Sequence, residues 1–140
     1  MPVPCPIMTP GKDSCDLSVG WTRPWAVIVP GNPIPLERNR HTRFASYLPP
    51  RSTAYRQLLH IYFRRQMALD RIALTHQLLN LEVRFYRDSN RPCDIDNLLK
   101  SCFDALSKVV IFDDKQIMSL VAEKLIDKKD PRMVLTLSPK

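Results

Sequence analysis

Long apolar segments are missing from this sequence of 140 residues. No run approaches the roughly eighteen apolar residues that a membrane-spanning helix needs, and the first residues lack the charged start and apolar core of a secretory signal. The sequence has no internal repeat, and 44% apolar with 25% charged residues is typical of a globular chain rather than a disordered one. We therefore expect a soluble, cytoplasmic protein without membrane association, built around one moderate core.

Clusters of cysteine and histidine are also missing. The four cysteines show no two-residue spacing, none of them is placed beside a histidine, and the three histidines are scattered. A structural zinc site needs nitrogen and sulfur ligands at short spacing, so the sequence disfavours one. Cys102, on the apolar face of a predicted helix, is expected to be a small buried residue.

The two ends of the chain differ in composition. Residues 1–20 carry four prolines with little apolar periodicity, which predicts a flexible tail. Residues 21–140 carry the periodic segments and are expected to form the single folded domain. The proline-rich stretch between 31 and 50 is predicted to be an exposed loop.

Apolar periodicity predicts four strands and two helices in this domain. The helices are predicted to begin after Ser52 and at Asp96, and the strands to cover 25–29, 79–86, 117–126 and 133–137. The order is β-α-β-α-β-β, which favours the α+β class with a mixed sheet packed by two helices. The last two strands, joined by the polar turn 127–131, are predicted to be an antiparallel pair.

Acidic residues are few, and they are concentrated in one segment. The net charge is +7, yet five of the fourteen carboxylates lie within 21 positions, at Asp94, Asp96, Asp104, Asp113 and Asp114. Carboxylates gathered at one place repel one another and need a compensating cation. Their oxygen atoms are the hard ligands that Mg²⁺ prefers, so the cluster indicates a divalent metal site.

The spacing within this segment separates a packing face from a polar face. On a helical wheel, one contiguous apolar face is formed by Leu98, Leu99, Cys102, Ala105, Leu106 and Val109. Asn97, Lys100 and Asp104 align on the opposite side of the helix. Asp96 lies above them at the predicted helix start, and aspartate is a favoured residue type at an N-cap. Asp94 lies two positions before Asp96, in a segment that is expected to be extended. Alternate residues of an extended segment point the same way, so both carboxylates can point toward one ion.

The chain between 37 and 71 is strongly basic. It contains eight arginines, two acids and no lysine. Guanidinium groups match phosphate oxygens with two parallel hydrogen bonds, which a lysine cannot provide. The candidate DNA contacts are Arg38, Arg40, Arg43, Arg51 and Arg56, and the alternative is a merely solvated basic surface.

The acidic segment resembles the RusA-type Holliday-junction resolvases, endonucleases that cut four-way DNA junctions. Their signature is Asp-x-Asp-Asn-x-x-Lys, then Asp-Ala-Leu, then an acidic pair. The matching residues here are Asp94, Asp96, Asn97, Lys100, Asp104, Ala105, Leu106, Asp113 and Asp114. Cys93, immediately before Asp94, departs from the best-known members.

The resemblance implies phosphodiester hydrolysis with Mg²⁺, or alternatively Mn²⁺, in DNA recombination and repair. Its implied catalytic residues are Asp94, Asp96, Lys100 and Asp114, of which the three aspartates are the metal ligands. Asp113 remains an alternative to Asp114, and the pair is expected to return to Asp94 if the chain turns back after Val109. The resemblance further implies a homodimer that makes paired cuts in branched DNA. Two other functions stay open: a non-catalytic DNA-binding module and a metal-dependent phosphatase.

Overall fold

The computed structural model describes residues 21–38, 40–47 and 49–140, so the predicted tail of residues 1–20 lies outside the described part. The described residues form two helices, six strands in two sheets and one 3₁₀ turn. The elements are β1 (Trp25–Pro30), β2 (Arg40–His41), β3 (Ser46–Tyr47), α1 (Pro50–Asp70), β4 (Leu79–Arg87), α2 (Ile95–Leu106), a 3₁₀ turn (Asp114–Gln116), β5 (Ile117–Ile126) and β6 (Arg132–Pro139). Neither helix is both long and apolar enough to cross a membrane.

Four of these strands form one mixed sheet in the order β1-β6-β4-β5. Strands β4 and β5 are parallel, whereas β6 is antiparallel to both of its neighbours, β1 and β4. The crossover from β4 to β5 is made by α2, as parallel neighbours require. The predicted α+β class, with the order β-α-β-α-β-β and two helices, is confirmed.

Burial alternates along the strands because only one face of the sheet is covered. Val27, Val83 and Leu135 point into the core, whereas their chain neighbours are more exposed. Helix α1 covers this face with side chains three and four positions apart, among them Leu59 and Phe63. A fully buried Leu or Phe side chain stabilises the fold by about 2 kcal/mol relative to an exposed one. Cys102 is fully buried among these residues, as predicted.

The predicted pairing of the last two strands with each other is wrong. Strand β6 lies between β1 and β4, so β4 separates it from β5. The connection crosses the end of β4, where the N–H of Asp127 donates to the carbonyl of Arg87 at 2.8 Å. Strand β6 buries Met133, Leu135 and Leu137 completely and is hydrogen-bonded along both of its edges.

The predicted starts of both helices are late by one to three residues. Helix α1 begins at Pro50, because proline is tolerated in a first turn where its missing N–H costs nothing. Helix α2 begins at Ile95, so the N-cap position belongs to Asp94 and not to Asp96. The predicted loop between 31 and 50 contains the short antiparallel hairpin of β2 and β3.

Candidate active site

Seven residues lie between the end of β4 and the start of helix α2, and this connection is held by side chains that donate to its backbone carbonyls. The Arg87 guanidinium donates to the carbonyl of Arg91 at 2.8 Å, and the Lys124 ammonium from β5 donates to the carbonyl of Cys93. Asp94 follows in extended conformation, and its carboxylate makes no capping bond to the helix. Both oxygens of Asp94 are therefore free for another ligand.

A cleft of about 680 Å³ opens at this end of α2. Its polar lining consists of Glu37, Arg38, Asp94, Asp96, Asn97 and Lys100. Within it, the Lys100 ammonium lies 3.8 Å from a carboxylate oxygen of Asp96, one helical turn away, and both side chains are more than half exposed. An exposed pair of this kind contributes little to stability, so its two charges remain available to a ligand. Asp104, which the sequence aligns with Lys100 on the polar face of the helix, lies outside this lining.

The loop that carries Arg38 is fastened to both helices. The N–H of Leu36 donates to the carbonyl of Asn97 at 2.9 Å, and the buried Ser101 hydroxyl donates to the carbonyl of Ile34 at 3.0 Å. The Ser52 hydroxyl, from α1, accepts from the N–H of Glu37 at 3.2 Å. These contacts place Glu37 and Arg38 in the cleft. In the sequence, the one sign of these contacts is that Ser52 and Ser101 are polar residues on otherwise apolar helix faces.

The acidic pair Asp113–Asp114 lies at the other end of the sheet. It immediately precedes β5, whose first residue, Ile117, is paired with Leu79 at the start of β4, whereas the cleft lies beyond the end of β4. Residues 117 to 124 of β5 alone span about 23 Å at about 3.3 Å per residue. Within one chain the pair therefore does not return to Asp94, contrary to the expectation. In the described part of the chain, no three acidic, histidine or cysteine side chains are grouped as a metal site.

The two acids of this pair have different surroundings. The Asp113 carboxylate accepts from the N–H of Lys115 at 3.1 Å, and this hydrogen bond lowers the pKa of Asp113. The hydrogen bond to Asp113 raises the pKa of Asp114. Asp113 thus has a local structural partner, whereas Asp114 is exposed and its carboxylate can turn to an external cation.

These features combine aspartates and a lysine at the start of a helix, a basic loop beside them and a separate acidic pair before the next strand. The family model described as Endodeoxyribonuclease RusA matches residues 30–138. The chain belongs to the RusA family. No curated protein matches the sequence. Family membership makes the chain an endodeoxyribonuclease of the Holliday-junction resolvase type, with branched DNA as its partner.

Of the arginines predicted to contact DNA in this RusA-family chain, one lines the cleft and the others lie in neighbouring elements. Arg38 lines the cleft itself. Arg43 is exposed at the tip of the β2–β3 hairpin, Arg51 is exposed in the first turn of α1, and Arg56 is half-buried one turn further on. The backbone of Arg40 lies in β2, but its side chain is outside the described part. Their contacts with DNA remain a prediction.

Gln116 has a structural role that no motif in the sequence indicates. Its side chain is buried, and its oxygen accepts from the N–H groups of Phe112 and Asp113 at 2.8 and 2.9 Å. Its nitrogen donates to the carbonyls of Thr75 and Gln77, both at 2.8 Å. This one amide therefore fixes the turn that presents Asp113 and Asp114 against the start of β4.

We expect Gln116→Ala to lower the free energy of unfolding by about 2 kcal/mol or more, because the Asp113 N–H and the Gln77 carbonyl lose their partner and each unpaired group costs about 1–3 kcal/mol. The Phe112 N–H and the Thr75 carbonyl keep their own hydrogen bond at 3.2 Å. Urea unfolding measures the change. Gln57→Ala, on the exposed face of α1, is the matched control and should change stability by less than about 0.5 kcal/mol. Equal stability of the two variants would contradict the role assigned to Gln116.

Proposed function

We propose that this chain is a Mg²⁺-dependent endonuclease that acts as a homodimer and resolves four-way DNA junctions by paired phosphodiester hydrolysis. One observation carries the proposal: Asp94, Asp96 and Lys100 line one open cleft whose rim is a basic loop. A protein that only bound DNA would gain nothing from two uncapped carboxylates facing the phosphates, because like charges repel. Family membership supports the substrate class.

The residues of the cleft fit Mg²⁺ as a ligand set. Magnesium is commonly held by one or two carboxylates together with substrate phosphate oxygens, and Asp94 and Asp96 offer oxygen atoms that no buried protein group occupies. A bound Mg²⁺ supplies a more acidic water and polarises the scissile phosphate. Lys100 places a positive charge where negative charge develops on the phosphate, and Arg38 holds the neighbouring backbone.

The third predicted ligand, Asp114, is too far away to share an ion with Asp94 in the same chain. Magnesium–oxygen distances are about 2.1 Å, whereas β5 separates the two residues by about 23 Å or more. We infer that the partner subunit supplies Asp114. Strand β5 lies at the edge of the sheet, and Met118 and Val121 on it are each about half exposed, at 52% and 51%. An exposed apolar edge strand is a surface that pairs readily with another strand.

Antiparallel pairing of two β5 strands about a two-fold axis explains how the site is completed. Such pairing brings the beginning of one strand beside the end of the other. With the axis near Ser119, midway between Asp114 and Lys124, the partner subunit's Asp114 reaches the end of β5 that contacts Cys93. The dimer then has two equivalent clefts, which suits one cut in each of two opposed strands.

The test is cleavage of a synthetic four-way junction, a duplex of the same sequence and a small phosphate ester. We expect symmetric paired cuts in the junction with Mg²⁺, or with Mn²⁺, no cuts in chelator, and little action on the duplex or the ester. Hydrolysis of the ester at the rate of the junction would instead indicate a phosphatase. Tight junction binding without cleavage at any divalent ion concentration would indicate a binding module, and either result contradicts the proposal.

A further inference from the structure

The β2–β3 hairpin projects from the loop that lines the cleft. Arg38 lies in the cleft, β2 begins two residues later, and a four-residue turn from Thr42 to Ala45 joins β2 to β3. The N–H of Thr42 donates to the carbonyl of Ala45 at 2.7 Å. The Thr42 hydroxyl also accepts from the N–H groups of Phe44 and Ala45, at 3.2 and 3.0 Å. The tip of the hairpin is therefore stiffened by its own hydrogen bonds.

Phe44 stands at this tip with 90% of its surface exposed. It is more exposed than any other large apolar side chain in the part of the chain that the structure describes. A stiff turn that holds an aromatic ring in water is unfavourable unless something covers the ring, because exposed apolar area costs free energy. The ring is thus presented for a partner rather than packed against its own fold.

The charges around Phe44 identify the chemistry of this partner. Residues 40–47 contain Arg40, His41 and Arg43 and no acidic residue, and His41 and Arg43 are exposed in the same hairpin as Phe44. A basic surface with one aromatic ring suits a nucleic acid, whose phosphates meet the arginines and whose bases stack on the ring. A second apolar protein surface would have to bury these cations without a counter-charge.

We propose that Phe44 is a wedge that stacks on a base unpaired at the strand-exchange point of the bound junction. The inference rests on the proposed function and specifies how that site engages its substrate. Phe44 lies six positions after Arg38, a reach of at most about 22 Å, so the base lies within about that distance of the phosphate in the cleft. Unstacking is least costly at a discontinuity in the duplex, and inserted apolar side chains are a known means of opening base steps.

The experiment uses a four-way junction with 2-aminopurine at the exchange point, in chelator so that no cleavage is needed. Wild-type protein is expected to increase the fluorescence of the probe as the base unstacks. Phe44→Ala should abolish the increase and weaken junction binding about tenfold, with the salt dependence of binding unchanged. Phe44→Trp should preserve both. Arg43→Ala should instead flatten the salt slope by about one and keep the fluorescence increase.

Leu69→Ala is the matched control. Leu69 is an apolar side chain that is 67% exposed, and it lies near the C-terminal end of α1, whereas Ser52 lies near the N-terminal end. Leu69→Ala should leave binding and fluorescence unchanged. The proposed role of Phe44 is contradicted if Phe44→Ala binds the junction and unstacks the probe like wild type. It is also contradicted if the substitution changes the mass of the protein in sedimentation, because Phe44 would then be a contact between protein chains. Failure of wild type to bind the junction at all would reject the proposed function instead, so the two failures are distinguishable.

Discussion

Asp96→Asn is expected to reduce junction cleavage by about a thousandfold or more. The substitution keeps the size and shape of the side chain but removes the negative charge of one of the two aspartates proposed as metal ligands in the cleft. A metal ion contributes several kcal/mol to the stabilisation of a phosphoryl transition state, and each 1.4 kcal/mol changes the rate about tenfold. Single-turnover cleavage of a radiolabelled or fluorescent junction measures the loss.

Junction binding by Asp96→Asn should be kept or strengthened, because the DNA backbone then meets one negative charge fewer. Asp70→Asn is the matched control. Asp70 is exposed at the far end of α1, where its carboxylate accepts from the Gln66 amide at 2.9 Å, and this variant should cleave like wild type. Cleavage by Asp96→Asn at the wild-type rate would show that the cleft is not the catalytic site.

The local part of the fold was predictable from the sequence. The i, i+4 spacing of Asp96 and Lys100 places both on one face of α2, and the apolar positions Leu98, Cys102 and Ala105 on the opposite face are buried. Strand β4 was predictable for a similar reason, since its alternating residues fill one covered face. These features depend on residues three or four apart, and their physics is contained in the local pattern.

The pairing of elements that are distant in the sequence was harder to predict from the sequence alone. The polar turn 127–131 predicts correctly that β5 and β6 run in opposite directions, but not that β4 lies between them. The strand order depends on which strand is hydrogen-bonded along both of its edges, and this is determined by the whole sheet. The N-cap position of Asp94 was not predictable for a different reason. An aspartate at the N-cap without a capping bond gives up a helix-stabilising interaction, which local preferences disfavour.

The position of Asp114 illustrates the limit most clearly. The sequence suggests that an acidic pair twenty residues after Asp94 returns to it, but α2 carries the chain about 18 Å to the other end of the sheet. The parallel direction of β5 then fixes Asp114 at that end. This topology and the exposed edge of β5 are the grounds for the proposal that two chains complete one site.

A shared site makes a distinctive prediction for mixtures of inactive chains. Asp94→Asn and Asp114→Asn homodimers should both be inactive, because every site lacks one ligand. In a dimer containing one chain of each kind, both substitutions fall in the same site and the other site is intact. Random pairing of equal amounts should therefore restore about a quarter of the wild-type sites, each able to nick one strand.

The control is a mixture of Asp94→Asn with Asp96→Asn. Both substitutions lie in the same cleft of their own chain, so each site in a mixed dimer still lacks one ligand and no activity should return. Two affinity tags of different kinds, one on each chain, allow the mixed dimer to be purified and exchange to be verified. This control also shows that any recovery does not come from mixing or refolding itself.

Nicking of a four-way junction by the purified mixed dimer of Asp94→Asn and Asp114→Asn chains is the most direct measurement. We predict Mg²⁺-dependent nicks at about half of the wild-type rate per dimer, since one of the two sites is intact. Background activity in that dimer, with exchange verified, would contradict a site completed by the partner subunit's Asp114.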